Sequence, residues 1–229
     1  MIARDVVRAA IVMLVASGSA AAQTAADRPV HRFEASLGAL WLGGAELGSG
    51  DADLRQNAIP TTDFRLFSTD THVQAAPGFD GRVAFWVTRS LAIEGGVVRT
   101  GPELRTRISD DAEDADDLTV AEDLDQYFID IAAVLLLDRF SIGARTVPFV
   151  SGGAGYLRQL HEGRTLVETG QVYQVGGGIR HWLRVSDRGF LRAAGLRLDA
   201  RLYMLVNGVA FEDGSRPHGA VSGSLFLTF

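Results

Sequence analysis

Residues Gly219 to Phe229 read GAVSGSLFLTF. In an extended chain successive side chains point to opposite sides, so Val221, Leu225, Leu227 and Phe229 share one face while Ser222, Ser224 and Thr228 share the other. The apolar face runs unbroken to Phe229. Such a face has to meet either the apolar face of another strand or hydrocarbon, and which of the two it meets decides the fold.

The opposite end of the chain bears on that choice. Arg4 and Arg8 precede the apolar run Ala9 to Val15, and the small-residue stretch from Ser17 ends in Ala20-Ala21-Ala22 ahead of Gln23. That arrangement predicts a secretory signal peptide over 1–22, too short for a retained membrane helix. A short periplasmic segment over 23–31 then leads into a single domain over 32–229. Losing Arg4, Arg8 and Asp5, a net +1, takes the formal charge from −6 to −7, which argues against nucleic acid as a partner. The chain has no cysteine, which excludes a disulfide framework, a thiol nucleophile, a Cys-based metal site and a lipid-bearing N-terminal Cys. The longest apolar run after the signal, Ile131 to Leu137, sits between Asp130 and Asp138 and is far short of a membrane helix. Any crossing of a membrane would have to be by a closed barrel.

Eight segments alternate with the period of a strand: about 32–42, 77–88, 91–100, 126–137, 146–158, 171–183, 191–205 and 219–229. Phe79, Val83 and Phe85 oppose Asp80 and Arg82, for example, and Leu196, Leu198 and Leu202 oppose Arg197, Asp199 and Arg201. The fifth segment, TVPFVSGGAGYLR, is rich in glycine and its facing is open. In the other segments no charged side chain falls on the apolar parity at mid-strand. A strand facing lipid must obey that rule, because a mid-membrane Arg or Lys costs about 2–4 kcal/mol. The connections are long (43–76), tight (Arg89-Ser90), long (101–125), short (138–145), medium (159–170), short (184–190) and medium (206–217). This alternation predicts long connections outside the cell and short ones, with both termini, in the periplasm. The expected fold is all-β, an eight-stranded antiparallel up-and-down transmembrane barrel. The competing fold is a secreted soluble barrel with the same apolar faces turned inward around a ligand. Trp86, Trp182 and Phe229 are expected in an interfacial girdle at the periplasmic side, and Trp41, Tyr127 and Tyr203 at the outer side.

On the terminal SGSLFLTF and the glycine-rich PFVSGGAGYLRQL and GQVYQVGGGIRHWL, the chain resembles the small eight-stranded outer-membrane barrels that include the OmpA transmembrane domain, OmpX and OmpW. The resemblance implies an outer-membrane location and contact with outer-membrane lipid and lipopolysaccharide. It also implies assembly by periplasmic chaperones and the barrel-insertion machinery, which in that family reads the last strand. Ser222, Leu227 and Phe229 match the places of that signal, and Gly223 stands one position before the expected glycine. Unlike OmpA, this chain is expected to lack a peptidoglycan-binding domain. Members differ widely in activity, so fold alone assigns none.

The polar parity collects Glu34, Asp80, Arg82, Glu94, Asp130, Arg180, Arg197, Asp199 and Arg201. An eight-stranded barrel has an interior that side chains fill, and buried charges must be paired, so these nine are expected to form a plugging network. A narrow ion path would need partners to exchange, with Arg197 and Arg201 against Glu34 or Glu94 as the pairs to test. Segment 101–125 carries Asp110, Asp111, Glu113, Asp114, Asp116, Asp117, Glu122, Asp123 and Asp125 without the central glycine or twelfth-position Glu of a calcium loop, and reads as a solvated acidic face. Phe64, Leu66 and Phe67 in the first long connection are open to three readings: a cap over the barrel mouth, strands prolonged beyond the membrane, or an adhesive patch for an extracellular ligand. His31, His72, His161, His181 and His218 form no close sequence pair. No catalytic residue, metal ligand or cofactor is assigned. The expected role is structural or surface-interaction; an OmpW-like pore for small or hydrophobic solutes is the alternative, and a lipid-modifying enzyme a third reading.

Overall fold

The structure, a computed structural model, describes residues 32–55, 63–110, 112, 116–161, 166–186, 189–207 and 215–229. The signal segment 1–22, the segment 23–31 with His31, and Asp111, Glu113 and Asp114 lie outside the described residues, as does the side chain of Phe64. Among the described residues twelve strands follow one another: β1 (Phe33–Leu42), β2 (Ala45–Arg55), β3 (Asp63–Val73), β4 (Ala76–Trp86), β5 (Leu91–Thr100), β6 (Glu103–Ser109), β7 (Leu118–Asp123), β8 (Asp125–Leu136), β9 (Thr146–Leu160), β10 (Val167–Val185), β11 (Ala193–Asn207) and β12 (Ser215–Thr228). Eight of them close into a barrel in the order β1-β12-β11-β10-β9-β8-β5-β4, each pair antiparallel. The terminal strand makes the closure, from Glu34 opposite Thr228 to Leu42 opposite Ala220.

The alternating faces resolve in one sense throughout. Leu37 is 68% exposed, Phe79 70%, Val83 65% and Ile131 67%, while Arg180 and Arg197 in the interior are 1% exposed. The apolar faces therefore point out and the charged ones in, which removes the soluble barrel with a greasy interior. A continuous outer surface of Leu, Ile, Val and Phe suits hydrocarbon, where closure also leaves no backbone edge unpaired. The fifth segment has a definite facing: Val147, Phe149, Ser151, Leu157 and Gln159 are buried inside and Val150 and Tyr156 are outward. Close approach explains part of its glycine content and that of β10. A Cβ on Gly178 would stand 2.0 Å from the Leu198 carbonyl oxygen, so only glycine lets β10 and β11 coil together there.

Two sequence expectations are corrected. The long connections are strands as well as loops: β2 and β3 lie in 43–76, β6 and β7 in 101–125, and they pair as a four-stranded sheet, β2-β3-β6-β7. Each continues a barrel strand across a one- or two-residue break, so this outer sheet prolongs the wall on the side of β1, β4, β5 and β8. The strand-extension reading of Leu66 and Phe67 is the one the backbone follows. The second correction concerns the girdle. Trp41 and Tyr127 face out, but Trp86 and Tyr203 are buried inside, because they share parity with Arg82 and Arg201. Trp182, just before a bulge in β10, packs on the inner cluster with Trp86.

The interior is layered. At the end carrying the outer sheet, Leu40, Leu42, Val98, Phe128 and Leu157 form an apolar layer with the ring of Tyr203. At the end with the tight turns, Ala84, Trp86, Val134, Val147 and Phe149 form another. Leu47, Val73, Leu104 and Leu124 make a small third cluster under the outer sheet. The charges occupy the space between the first two.

The outward facing of β8 predicts that Ile131→Arg at mid-strand destabilises the protein by about 2–4 kcal/mol in a bilayer. Ile131→Leu should be close to neutral. Urea unfolding of protein refolded into liposomes measures both; equal stability of the two variants would contradict a lipid-facing Ile131.

Candidate functional site

Six of the nine interior charges close an alternating ring. Arg82 contacts Asp80 on its own strand at 2.8 Å and Glu94 of β5 at 3.2 Å. Glu94 holds Arg197 of β11, whose Nε lies 2.9 Å from Asp199. Asp199 is 2.7 Å from Arg201, and Arg201 returns to Asp80 at 2.9 Å. Every guanidinium in this ring stands between two carboxylates, and every carboxylate between two guanidiniums. Residues two apart on one strand supply both signs, Asp80 with Arg82 and Asp199 with Arg197 and Arg201, so the period of the strand itself sets half of the contacts.

Asp130 of β8 joins the ring from outside. It lies 3.1 Å from Arg82 and accepts a hydrogen bond from Gln174 Nε2 at 2.6 Å. Tyr203 lies within hydrogen-bond distance of Arg82 at 3.4 Å and Arg201 at 3.3 Å, accepting at its hydroxyl oxygen, and Ser222 donates to Asp199 at 3.0 Å. Gly96 makes the room: a Cβ there would lie 2.6 Å from Arg82 Nη1. The eighth and ninth interior charges, Arg180 and Glu34, form a separate ion pair nearer the tight-turn end. Trp86 Nε1 donates to Glu34 at 3.3 Å, and the Arg180 guanidinium lies over the rings of Phe226, Trp86 and Trp182 at 4.3, 5.0 and 5.4 Å. Cation–π contact of this kind strengthens where water is excluded.

The structure thus brings Glu34, Asp80, Arg82, Glu94, Asp130, Arg180, Arg197, Asp199 and Arg201 into one interior, all of them buried. Of the pairings put forward from sequence, Arg197 with Glu94 is made. Arg201 is not on Glu34 or Glu94; Asp80 and Asp199 hold it, and Glu34 is taken by Arg180. Sequence reasoning missed Gln174, Tyr203 and the aromatic surround of Arg180 as members. Their shared parity with the charges was the available signal. Ser222 faces inward onto Asp199, while Leu227 and Phe229 lie on the outward parity at the tight-turn end, where Phe229 packs on Phe190 with ring centroids 4.9 Å apart.

The outer sheet is the second feature of the molecule. Its face opposite the Leu47 cluster is charged, with Arg105 on Glu103 at 2.9 Å and Arg107 on Asp117. The hydrogen bond to Asp117 pushes the Arg107 pKa further up. Just below it Arg99 pairs with Asp125 at 3.1 Å and lies over Tyr127. Of the described acidic residues in 101–125, Glu122 and Asp123 lie on β7, and Asp117 and Asp125 are matched by arginines. The histidines are dispersed: His181 bonds Thr146 at 2.8 Å, His218 lies 3.3 Å from the Gly43 carbonyl, and His161 lies 2.8 Å from Glu122 and 3.9 Å from Glu168.

No protein-family profile matches the chain, and no curated protein sequence matches it significantly. Solved structures do match. Neisserial surface protein A (NspA) superposes with a TM-score of 0.52 at 13% identity, over 86% of this chain and 97% of that one. The fold is that of the outer-membrane β-barrels. The outer membrane protein OprG from Pseudomonas aeruginosa gives a TM-score of 0.51 at 9% identity, over 87% of this chain and 96% of that one. At such identities the likeness is one of backbone.

Removing one member of a buried pair strands its partners without water. Arg82→Met should cost about 3–5 kcal/mol, because Asp80, Glu94 and Asp130 each lose a neutralising neighbour. Arg99→Met, at the exposed pair with Asp125, should change little. Denaturant unfolding of the refolded protein in micelles reads both, and similar midpoints for the two would refute the ring as a structural element.

Proposed function

We propose that this protein is an outer-membrane barrel with a plugged lumen, acting at the cell surface through its outer sheet. The observation that carries this reading is the interior: a closed ring of alternating charges, itself lying between two apolar layers. An ion moving along the axis would have to pass Phe128 and Leu157 at one end and Trp86 and Phe149 at the other, and break desolvated ion pairs between them. The cost of leaving a buried charge unpaired opposes that path. The charges therefore serve the barrel, and the outer sheet is left as the part free to meet a partner.

In this reading both termini are periplasmic after export on the signal 1–22, and the outer sheet is extracellular. The outward apolar band contacts lipid, and the charged rim at Arg99, Arg105 and Arg107 lies at the height of lipopolysaccharide headgroups. Phe229, with Leu227, serves as the insertion signal. In this reading the protein acts as a surface or structural component.

Planar-bilayer recording tests the plugged lumen: the purified protein should give no discrete, reproducible openings. Such openings would support the narrow-pore reading instead. Unchanged lipid A on overexpression is expected, and altered lipid A would favour lipid-modifying activity. Deleting Phe229 should lower the amount of protein that migrates in its folded, heat-modifiable form on SDS gels and increase periplasmic degradation. Full surface levels of that truncation would remove the insertion-signal assignment.

A further inference from the structure

We propose that Glu46, Asp70 and His72 form a surface site for a divalent transition cation of the zinc class. The three come from adjacent strands of the outer sheet. Asp70 and His72 are two apart on β3 and so share a face, and Glu46 stands opposite His72 across the β2–β3 ladder. Immediately after Glu46 the register shifts: Gly48, with φ of 115°, pairs with Thr71, and the extra residue Leu47 turns into the apolar cluster beneath the sheet. A bulge of this kind re-aims the side chain beside it. Here it leaves Glu46 converging on the other two, with donor atoms of all three residues within 4.8 Å of one another and His72 Nδ1 4.0 Å from Asp70 Oδ1.

Several carboxylates near the trio have arginine partners. Asp51 is paired with Arg65 at 2.7 Å, Glu103 with Arg105 and Asp117 with Arg107. Among the described residues neither Glu46 nor Asp70 has an arginine within ion-pair distance. Arg105 stands opposite His72 and Arg107 opposite Asp70 in register, but both guanidiniums are engaged by their own carboxylates. Glu46 and Asp70 thus stand beside an imidazole with no ion-paired arginine among the described residues, and Arg107 acts on Asp70 only at longer range. An open cleft of about 480 Å³ adjoins the site, lined by Gly44, Ala45, Glu46, His72, Val73 and Gln74.

The donor set selects the cation. One imidazole nitrogen with two carboxylate oxygens suits zinc or a neighbouring first-row dication, whereas calcium and magnesium prefer oxygen alone. With metal–ligand bonds of about 2.0–2.2 Å, tetrahedral donor atoms stand about 3.4 Å apart, so the donors need to close by no more than about 1.4 Å. Rotation of the exposed Glu46 and Asp70 side chains supplies a movement of that size. The protein fills three positions, and the adjoining cleft admits water or an oxygen donor to a fourth. A cation held there would also staple edge strand β2 to β3.

The test is titration of Zn²⁺ alone into the refolded full-length chain in micelles, without an affinity tag, followed by calorimetry or competition with a fluorescent chelator. One Zn²⁺ per chain is expected. His72→Ala, Glu46→Gln and Asp70→Asn should each weaken it by roughly tenfold or more. His181→Ala and Asp117→Asn should bind as the parent does, and Ca²⁺ should compete poorly. Heat-modifiable mobility of each variant shows that the barrel has folded. The proposal is overturned by the absence of saturable Zn²⁺ binding, by parental affinity in His72→Ala, or by loss of binding in the His181 variant.

Discussion

Closure of β1 onto β12 is the constraint from which the rest follows. A closed cylinder satisfies every ladder hydrogen bond between its strands, and it fixes the interior to a width that side chains must fill. With hydrocarbon outside, alternation leaves the inner parity as the only place for polar residues. Apolar burial, which in a water-soluble domain would drive the two faces together, here cannot choose the inside. The charges are inside because the outside excludes them, and having been placed there they must neutralise one another.

The alternating ring is the solution this sequence reaches. A lone buried ion pair gains little over an apolar pair of the same volume, since desolvation offsets the attraction. A ring differs because each charge has two opposite neighbours: Arg82, Arg197 and Arg201 each lie between two of Asp80, Glu94 and Asp199. The contacts cross from β4 and β5 to β11, on the far side of the cylinder, so the network holds opposite walls at a set spacing. Apolar layers at both ends keep water from competing for those contacts. The same features that stabilise the wall oppose conduction through it, which is why the interior reads as structural.

The strand pattern made the barrel legible because a lipid-facing wall tolerates few exceptions to parity. The nine interior charges follow from the same rule, as each shares parity with residues whose neighbours are plainly apolar. Pairing was harder. Arg201 meets Asp80 through the tilt and shear of the wall, which carries a side chain of β11 to the height of one on β4, and no spacing within one strand encodes that offset. Trp86 and Tyr203 lie inside and not in a girdle because strand parity overrides the preference of aromatic rings for strand ends. The glycine-rich β9 resisted assignment for a physical reason: without side chains on Gly152, Gly153 and Gly155 there is no alternation to read. The outer sheet escaped because β2 and β7 are polar on both faces at many positions, and a strand standing in water gives little amphipathic signal.

That polarity has a reason of its own. Within the barrel no strand has a free edge, but β2 and β7 end the outer sheet and leave unpaired backbone groups. Such edges recruit other strands unless they are blunted by charge, brevity or bulges. Strand β2 carries Asp51 and Asp53 and two register shifts, at Glu46/Gly48 and Ala52/Asp53. Strand β7 is only six residues long and ends in Glu122 and Asp123. The acidic residues of 101–125 are then better understood as protection of an exposed edge than as a cation trap: those at the β7 edge repel a second copy, and Asp117 and Asp125 are already matched by Arg107 and Arg99. The trio of Glu46, Asp70 and His72 has no arginine within ion-pair distance among the described residues, and it sits at the first register shift of β2. A surface that resists strand addition is left to bind through its side chains, and at that register shift two carboxylates and an imidazole converge.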